Sequence, residues 1–342
     1  MRAPLVSVTI VTYNSQRHIQ RCLDSALAQT YGPLEVVVAD NGSSDGTLDI
    51  LESYGGRILL IRNNANVGFA MGQNQAIAAS RGGWVLTLNP DVRLQPDFIA
   101  NLVDSAHIDG RIGVLCGKLL RMGPDGEPLQ GPLIDSTGIY FTPEMRHFDR
   151  GWGMVDYGQF DRVEYVFGAC AAAAMYRREM IADVGSCGDF FDPDFFCYRE
   201  DADLAWRAQL MGWRCLYTPD AVGHHVRGVK PGPRDVVPPV LRMHSVKNRF
   251  LMRVKNGTSE LYRRHWAPVT ARDLLVVAGC FLSEPASLPA FWHLARRLPA
   301  AFAKRREIMS RRRVSDEYLA EWFQDGPASQ PTRSAAIEPA QL

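Results

Sequence analysis

Apolar runs of strand length alternate along the chain with stretches of helical period. Val6-Ser7-Val8-Thr9-Ile10-Val11 precedes a helical pattern over 16–29, and an apolar run over 34–39 precedes another helical pattern over 46–53. The alternation continues with strands expected over 57–61 and 84–88 and helices over 68–80 and 96–107. Repeated units of this kind imply βαβ crossovers and a mostly parallel, twisted α/β sheet flanked by helices. Between 117 and 165 the pattern breaks into Gly, Pro and Asp turns such as Gly123-Pro124-Asp125-Gly126, expected to form loops over a site. Residues 163–167 alternate like a strand, whereas Phe167 to Ala174 suits a strand or a helix, and its small side chains would admit a bulky ligand to the backbone. Beyond it, 202–211 has helical spacing stopped by Gly212, 214–218 reads as a strand leading to His224-His225, and 240–323 is helical.

Three apolar runs end in polar or acidic clusters. Residues 36–39 lead into Asp40, 85–88 into Asn89-Pro90-Asp91, and Phe195-Phe196-Cys197-Tyr198 into Glu200-Asp201. Ligands of open α/β sheets bind at the carboxyl ends of the strands, so acids repeated there point to one shared polar site and to an enzyme.

Length and composition, 342 residues at 46% hydrophobic, suffice for a full core and exclude a disordered chain. The first residues lack a signal-peptide pattern, so a cytoplasmic location is expected. The seven cysteines form no C-x-x-C pair and are read as reduced, mostly buried thiols. Charge changes the picture more. Residues 1–225 carry 18 Lys and Arg against 27 Asp and Glu, a net of −9, while 226–323 carry 19 against 8, a net of +11. The division expected is a catalytic domain over 1–235, a basic helical extension over 236–323, and a disordered tail over 324–342. The extension suits acceptor contacts, an anionic membrane surface at the cytoplasmic face of the inner membrane, or a homodimer interface. Its most apolar part, 274–282, is too short to span a bilayer. No nucleic-acid-binding module is present in the sequence.

Each cluster has a chemical reading beside a plainer one. Thr12-Tyr13-Asn14-Ser15 and Asp40-Asn41-Gly42-Ser43-Ser44-Asp45 describe a nucleotide pocket: a strand-end carboxylate accepts from base or ribose, a Tyr ring stacks, and the Gly/Ser turn admits the ligand. Taken singly they are ordinary turns, with Ser44 or Asp45 as a helix cap. Asp91 could anchor a divalent cation on a diphosphate, since such ions are often held by one or two carboxylates and the substrate's phosphates; alone, it is an Asx-Pro turn. A neutral imidazole from the His pair is a chemically reasonable further ligand. Three acids in Glu200-Asp201-Ala202-Asp203 exceed what a helix N-terminus needs, so one is expected to do proton chemistry.

Together with Asn66-Val67-Gly68-Phe69-Ala70, these motifs resemble the family 2 inverting glycosyltransferases of GT-A fold over residues 5 to about 250, and most closely bacterial rhamnosyl- and galactofuranosyltransferases. The resemblance implies that Thr12, Tyr13, Asn14, Asp40, Asn66, Asn74 and Asn89 line the nucleotide pocket. It implies Mg²⁺ or Mn²⁺ at Asp91 and His225, with the D-x-D element here reading Asn-Pro-Asp. Asp201 is then the catalytic base, with Glu200 beside it, in an inverting single displacement. The donor implied is dTDP-rhamnose or a UDP-sugar, and the acceptor a glycan or polyprenyl-diphosphate-linked saccharide. The rival readings are a non-catalytic glycan-assembly protein of the same fold and a sugar nucleotidyltransferase; the second would place an Arg-containing Gly-rich loop where Thr12 to Ser15 stand.

Overall fold

The structure is a computed structural model that describes residues 3–186, 188–227, 237–324 and 326. Its first part follows the alternation in the sequence: β1 (Val6–Thr12), α1 (Ile19–Leu27), β2 (Leu34–Asp40), α2 (Thr47–Ser53), β3 (Leu59–Arg62), α3 (Phe69–Ala79), β4 (Trp84–Leu88), β5 (Val92–Leu94) and α4 (Phe98–Ser105). Strands β3, β2, β1 and β4 lie side by side and parallel. Because β1 has β2 on one side and β4 on the other, the strand order reverses at β1 and a crevice opens at its carboxyl end.

The second part is mixed. It contains β6 (Ile112–Arg121), β7 (Ile134–Ser136), β8 (Ile139–Phe141), β9 (His147–Asp149), β10 (Glu164–Val166), β11 (Ala173–Arg177) and α5 (Arg178–Val184). Next come α6 (Glu200–Leu210), β12 (Arg214–His225), α7 (Pro239–Asn256), α8 (Ser259–Leu282), α9 (Pro289–Ser310) and α10 (Asp316–Ala320). Strand β11 is inserted antiparallel between β4 and β6, and β12 runs parallel to β6. The sheet is therefore parallel where βαβ units were expected and mixed beyond them.

Three expectations are corrected. The stretch read as loops from 117 begins inside β6, a ten-residue strand in the middle of the sheet, although 122–133 does form turns. The strand expected over 214–218 continues to His225 past an irregularity between Tyr217 and Val222, where Pro219 cannot donate to the ladder. The run Phe195 to Tyr198 is no strand: a 3₁₀ turn over Pro193–Phe195 leads into a loop in which Phe196, Tyr198 and Arg199 all have positive φ. Three aromatics in four residues carry the hydrophobicity of a strand, but here they pack individually. Four of the six described cysteines are buried.

The two faces of the sheet bury separate cores. Val6, Val8 and Ile10 of β1 pack under α1 and α4, while Val85, Phe167, Trp206 and Tyr176 belong to the core on the opposite face. That second core is completed by the helical extension. Phe323 lies 5.0 Å from Trp206 and 5.2 Å from Phe141 between ring centroids, and Leu251, Ile308 and Leu319 are buried in the same cluster. The extension is thus joined to the sheet through a common apolar core, each large side chain contributing about 1.5–3 kcal/mol by burial. The boundary expected at 235 and nearly all of the tail expected to be disordered lie outside the described residues.

Candidate active site

The loops that follow β1 and β2 brace each other. Asp40 is buried; its Oδ1 accepts from Thr12 Oγ1 at 2.8 Å and from Ser43 Oγ at 2.5 Å, and its Oδ2 from the Ser43 backbone N–H at 2.9 Å. Asn14, with φ of 50°, accepts from the Ser44 N–H at 2.8 Å and donates its own N–H to Ser43 Oγ at 2.9 Å. Asp45 accepts from Thr47 and Gln16 N–H groups, the plain structural role, and its carboxyl is held below the ordinary range by those donors despite some desolvation. Tyr13 is half exposed above these loops and free to stack on a planar ligand. Asn66 Oδ1 accepts from the Gly68 N–H at 2.9 Å, shaping the loop before α3. Asn74 lies elsewhere: its amide donates to Asp189 and to the Phe191 carbonyl and accepts from the Phe191 N–H, so its polar atoms are engaged in a clip between α3 and the 189–191 turn.

A cavity of about 590 Å³ opens beside the β4 end, within the range typical of small-ligand sites. Asn89, Asp91, Glu200, Asp201 and His225 all line it, as do the small residues Cys170, Ala171 and Ala172 that the sequence marked as allowing close approach. Sheet register explains the meeting of Asp91 and His225. Strand β12 pairs with β5 so that His225 faces Val92, the residue after Asp91, and His225 Nε2 comes within 3.3 Å of Asp91 Oδ1. Adjacent residues of a strand point to opposite faces, so His224 is turned away from this contact and faces Arg93 across the ladder.

The other ring nitrogen, His225 Nδ1, lies 2.8 Å from Asp135 Oδ2, and Asp135 is fully buried at β7. Arg227 links Asp135 to Asp149, at 3.2 and 2.5 Å. Burial opposes charge on His225, but Asp91 and Asp135 together outweigh it and raise its pKa to about 10. Sequence reading missed Asp135; its signal was an acid flanked by Ile134 and Ser136 in a turn-rich stretch, too weak to single out.

The pair also meets a geometric test for a divalent ion. Two cis ligands at about 2.1 Å from an octahedral ion lie roughly 3 Å apart, close to the 3.3 Å found. Asp135 on Nδ1 is the outer carboxylate that commonly fixes the tautomer of a ligating histidine. Among the described residues no three His, Cys, Asp or Glu side chains are placed to hold a metal ion together, so diphosphate oxygens and water would have to complete the shell.

The three acids at the start of α6 divide into different roles. Asp203 is fully buried and structural: it accepts from Arg207, Lys255 and Asn256 at 2.8–2.9 Å. Asp201 faces the cavity; burial, with Asp149 adding repulsion, raises its pKa to about 6, against the Ala202 N–H at 2.7 Å that favours the anion. Glu200 is pushed well above the ordinary carboxyl range by burial and by Asp201, and its Oε2 has no hydrogen-bond partner. One carboxyl ionises near neutrality beside another held protonated, an arrangement suited to accepting a proton.

The backbone that aims these acids is strained, and two residues hold it. Asn248 Nδ2, on α7, lies 2.8–2.9 Å from the carbonyls of Phe195, Cys197 and Tyr198. Gly68, at φ +86°, receives Phe196 so closely that a Cβ there would lie 2.6 Å from the ring. Positive φ at three non-glycine residues costs of order 1–3 kcal/mol each and is retained at functional positions.

A crevice at the strand reversal, polar loops on one side and a carboxylate cluster on the other, defines a nucleotide-sugar-type transferase fold. Solved structures agree: GalNAc-T7 with UDP, GalNAc and Mn²⁺ superposes at a TM-score of 0.58 with 16% identity, covering 74% of this chain and 48% of that one. The mannosyltransferase PcManGT of Pyrobaculum calidifontis with GDP-Man and Mn²⁺ gives 0.51 at 21%, covering 93% and 85%. Both are GT-A glycosyltransferases, and at these identities they establish the fold. Residues 7–185 match the family described as Glycosyl transferase family 2. The chain belongs to that family and is a glycosyltransferase. It is 32% identical over 244 residues to the N-acetylglucosaminyl-diphospho-decaprenol L-rhamnosyltransferase of Mycobacterium tuberculosis, covering 65% of this chain and 76% of that protein. It is 30% identical over 235 residues to the PGL/p-HBAD biosynthesis glycosyltransferase of Mycobacterium bovis, covering 67% and 76%.

Proposed function

We propose that this glycosyltransferase inverts the anomeric centre, transferring a sugar from a nucleoside-diphosphate donor to a hydroxyl of a lipid-linked saccharide or growing cell-surface glycan. The observation that carries the reading is Asp201, a cavity-lining carboxyl with its pKa near 6, in the same cavity as the Asp91–His225 pair. Asp201 accepts the proton of the acceptor hydroxyl as that oxygen attacks, and buried Glu200, protonated, spares the site a second negative charge. Thr12, Asp40, Asn14 and Tyr13 orient the nucleotide, while Asn89 and Asp91 sit at the diphosphate end. Asp91 and His225 hold Mg²⁺ or Mn²⁺, with Asp135 fixing the histidine; bound there, the ion supplies Lewis-acid neutralisation of the leaving diphosphate. The named function of the mycobacterial relative supports a rhamnose-like sugar, dTDP-rhamnose ahead of UDP-sugars, and a polyprenyl-diphosphate acceptor. A cytoplasmic location at the inner membrane face fits those substrates.

Incubation with dTDP-rhamnose, UDP-galactofuranose, UDP-glucose and GDP-mannose, with and without Mn²⁺, tests the reading through released nucleoside diphosphate. One donor is expected to give metal-dependent release that Asp91→Ala abolishes. Release that ignores both the metal and the substitution would sink the metal assignment, and tight donor binding without release would point to an acceptor that the reaction lacks.

A further inference from the structure

Arginines gather where α7, α8 and the β8–β9 turn meet, with too few acids to balance them. Arg249 and Arg253 share one carboxylate, Asp273, at 3.3 and 2.6 Å. Arg146, between β8 and β9, lies within electrostatic reach of Arg249 and of Arg272, the neighbour of Asp273. Glu144 is the second acid facing them. Among the described residues four guanidiniums thus face two carboxylates, leaving two positive charges over. Arg249 is only 4% exposed, and its Nη2, together with Arg253 Nε and Nη1 and Arg272 Nε, has no hydrogen-bond partner among the described residues. Buried donors of this kind are costly unless a ligand satisfies them.

The cluster is connected to the cavity and to an apolar surface. Arg242, another arginine with an unpartnered buried Nε, lines the cavity, as do His147 and Arg199, whose Nη1 lies 3.2 Å from His147 Nδ1. On the other side, the solvent face of the C-terminal half of α8 is apolar: Ala271, Leu274, Leu275, Ala278, Phe281 and Leu282 are all exposed, at helical spacing, while Asp273 turns inward to the arginines. No single described helix is long and apolar enough to cross a membrane.

We propose that Arg146, Arg249, Arg253 and Arg272 form the subsite for the diphosphate of a prenyl-diphosphate-linked acceptor, whose hydrocarbon lies along the exposed face of α8. The doubly anionic diphosphate matches the charge surplus and the fork geometry of guanidinium groups. The inference rests on the glycosyl-transfer reading and names the acceptor class that reading takes.

Calorimetric titration of the full chain with farnesyl diphosphate, inorganic pyrophosphate, dTDP and UDP tests it, using wild type, Arg146→Gln and the Arg146→Gln/Arg272→Gln pair. Wild type is expected to bind farnesyl diphosphate more tightly than pyrophosphate, and the pair to weaken farnesyl diphosphate at least tenfold while binding of dTDP or UDP, whichever wild type takes, stays constant. Constant nucleotide binding shows that each variant is folded; if the pair fails it, Arg146→Gln, at a half-buried position, carries the test alone. Farnesyl diphosphate binding that is absent, or that survives the substitutions, overturns the subsite. Displacement of farnesyl diphosphate by phosphatidylglycerol vesicles would reassign the arginines to bilayer headgroups and overturn the acceptor assignment. Wild type that binds neither dTDP nor UDP would instead strike the donor reading.

Discussion

The loops at the ends of β1 and β2 and the start of α6 carry the two halves of the proposed site but are built differently. Around Asp40 nearly every constraint is short-range within the βαβ unit: Thr12, Ser43, Asn14 and Ser44 bond to one another across two adjacent strand ends. Around Asp201 the constraints come from far along the chain. Asn248 holds the loop before it, while Lys255 and Asn256 hold Asp203 two residues after it. The proposed donor side is therefore a local structure, and the proposed catalytic side exists only once the helical extension has packed. The difference predicts that changes in α7 and α9 will damage catalysis without touching substrate.

Asp201→Asn tests the catalytic side most directly and is expected to lower turnover by ~10²–10⁴-fold in a steady-state assay. A folded variant turning over at the wild-type rate would refute the assignment. Stability should move the other way. The folded carboxyl titrates near 6, above its ordinary 3.8, so the folded state holds its proton more tightly and stability declines as pH rises from about 4 to about 6. The Asn variant avoids that loss, so its melting temperature should exceed that of wild type at pH 8 and approach it at pH 4.

Lys255→Met sharpens the contrast between regions. Lys255 Nζ contacts both Asp203 and Asp192, all three nearly or fully buried. Removing one member of such a group costs about 3–5 kcal/mol, readable by urea denaturation, whereas the exposed pair Arg81–Glu35 in the first region should cost under about 1 kcal/mol in Arg81→Ala. Equal losses would erase the distinction. Asp135→Asn is expected to weaken Mn²⁺ activation about 10–100-fold by releasing the His225 ring, with nucleotide binding in the absence of metal unchanged. The pH profile is a further check: kcat/KM should fall about tenfold per unit below about 6 in wild type, as Asp201 takes up its proton. An acid limb lying at the same pH in a folded, residually active Asp201→Asn protein would assign the titration elsewhere.

The elements up to α4, the short β5 excepted, were legible because parallel strands buried on both faces read as continuous apolar runs, and amphipathic helices between them leave a distinct period. Observed bounds differ from the expected ones mainly at helix ends, where α1 starts at Ile19 instead of 16. Phe195 to Tyr198 misled because hydrophobicity records burial and not backbone conformation; positive φ at Phe196 and Tyr198 comes from Asn248 and Gly68 contacts that no local pattern encodes. Asn74 misled for a similar reason, since an amide in a helix reads the same whether it faces a ligand or a neighbouring turn.

By itself the sequence determined the alternation of strands and helices in the first part, Asp40 and Asp91 at strand ends and the family resemblance, because these depend on residue type and spacing along the chain. The resemblance favoured His225, but tertiary structure alone supplied its contact with Asp91, which follows from the register of β12 on β5. It decided likewise that Asp203 is a structural anchor while Asp201 faces the cavity, that Asp135 orients the histidine, and that the arginines of α7 and α8 converge. Each of those outcomes depends on which distant group arrives opposite a side chain, and that is settled by packing across the sheet.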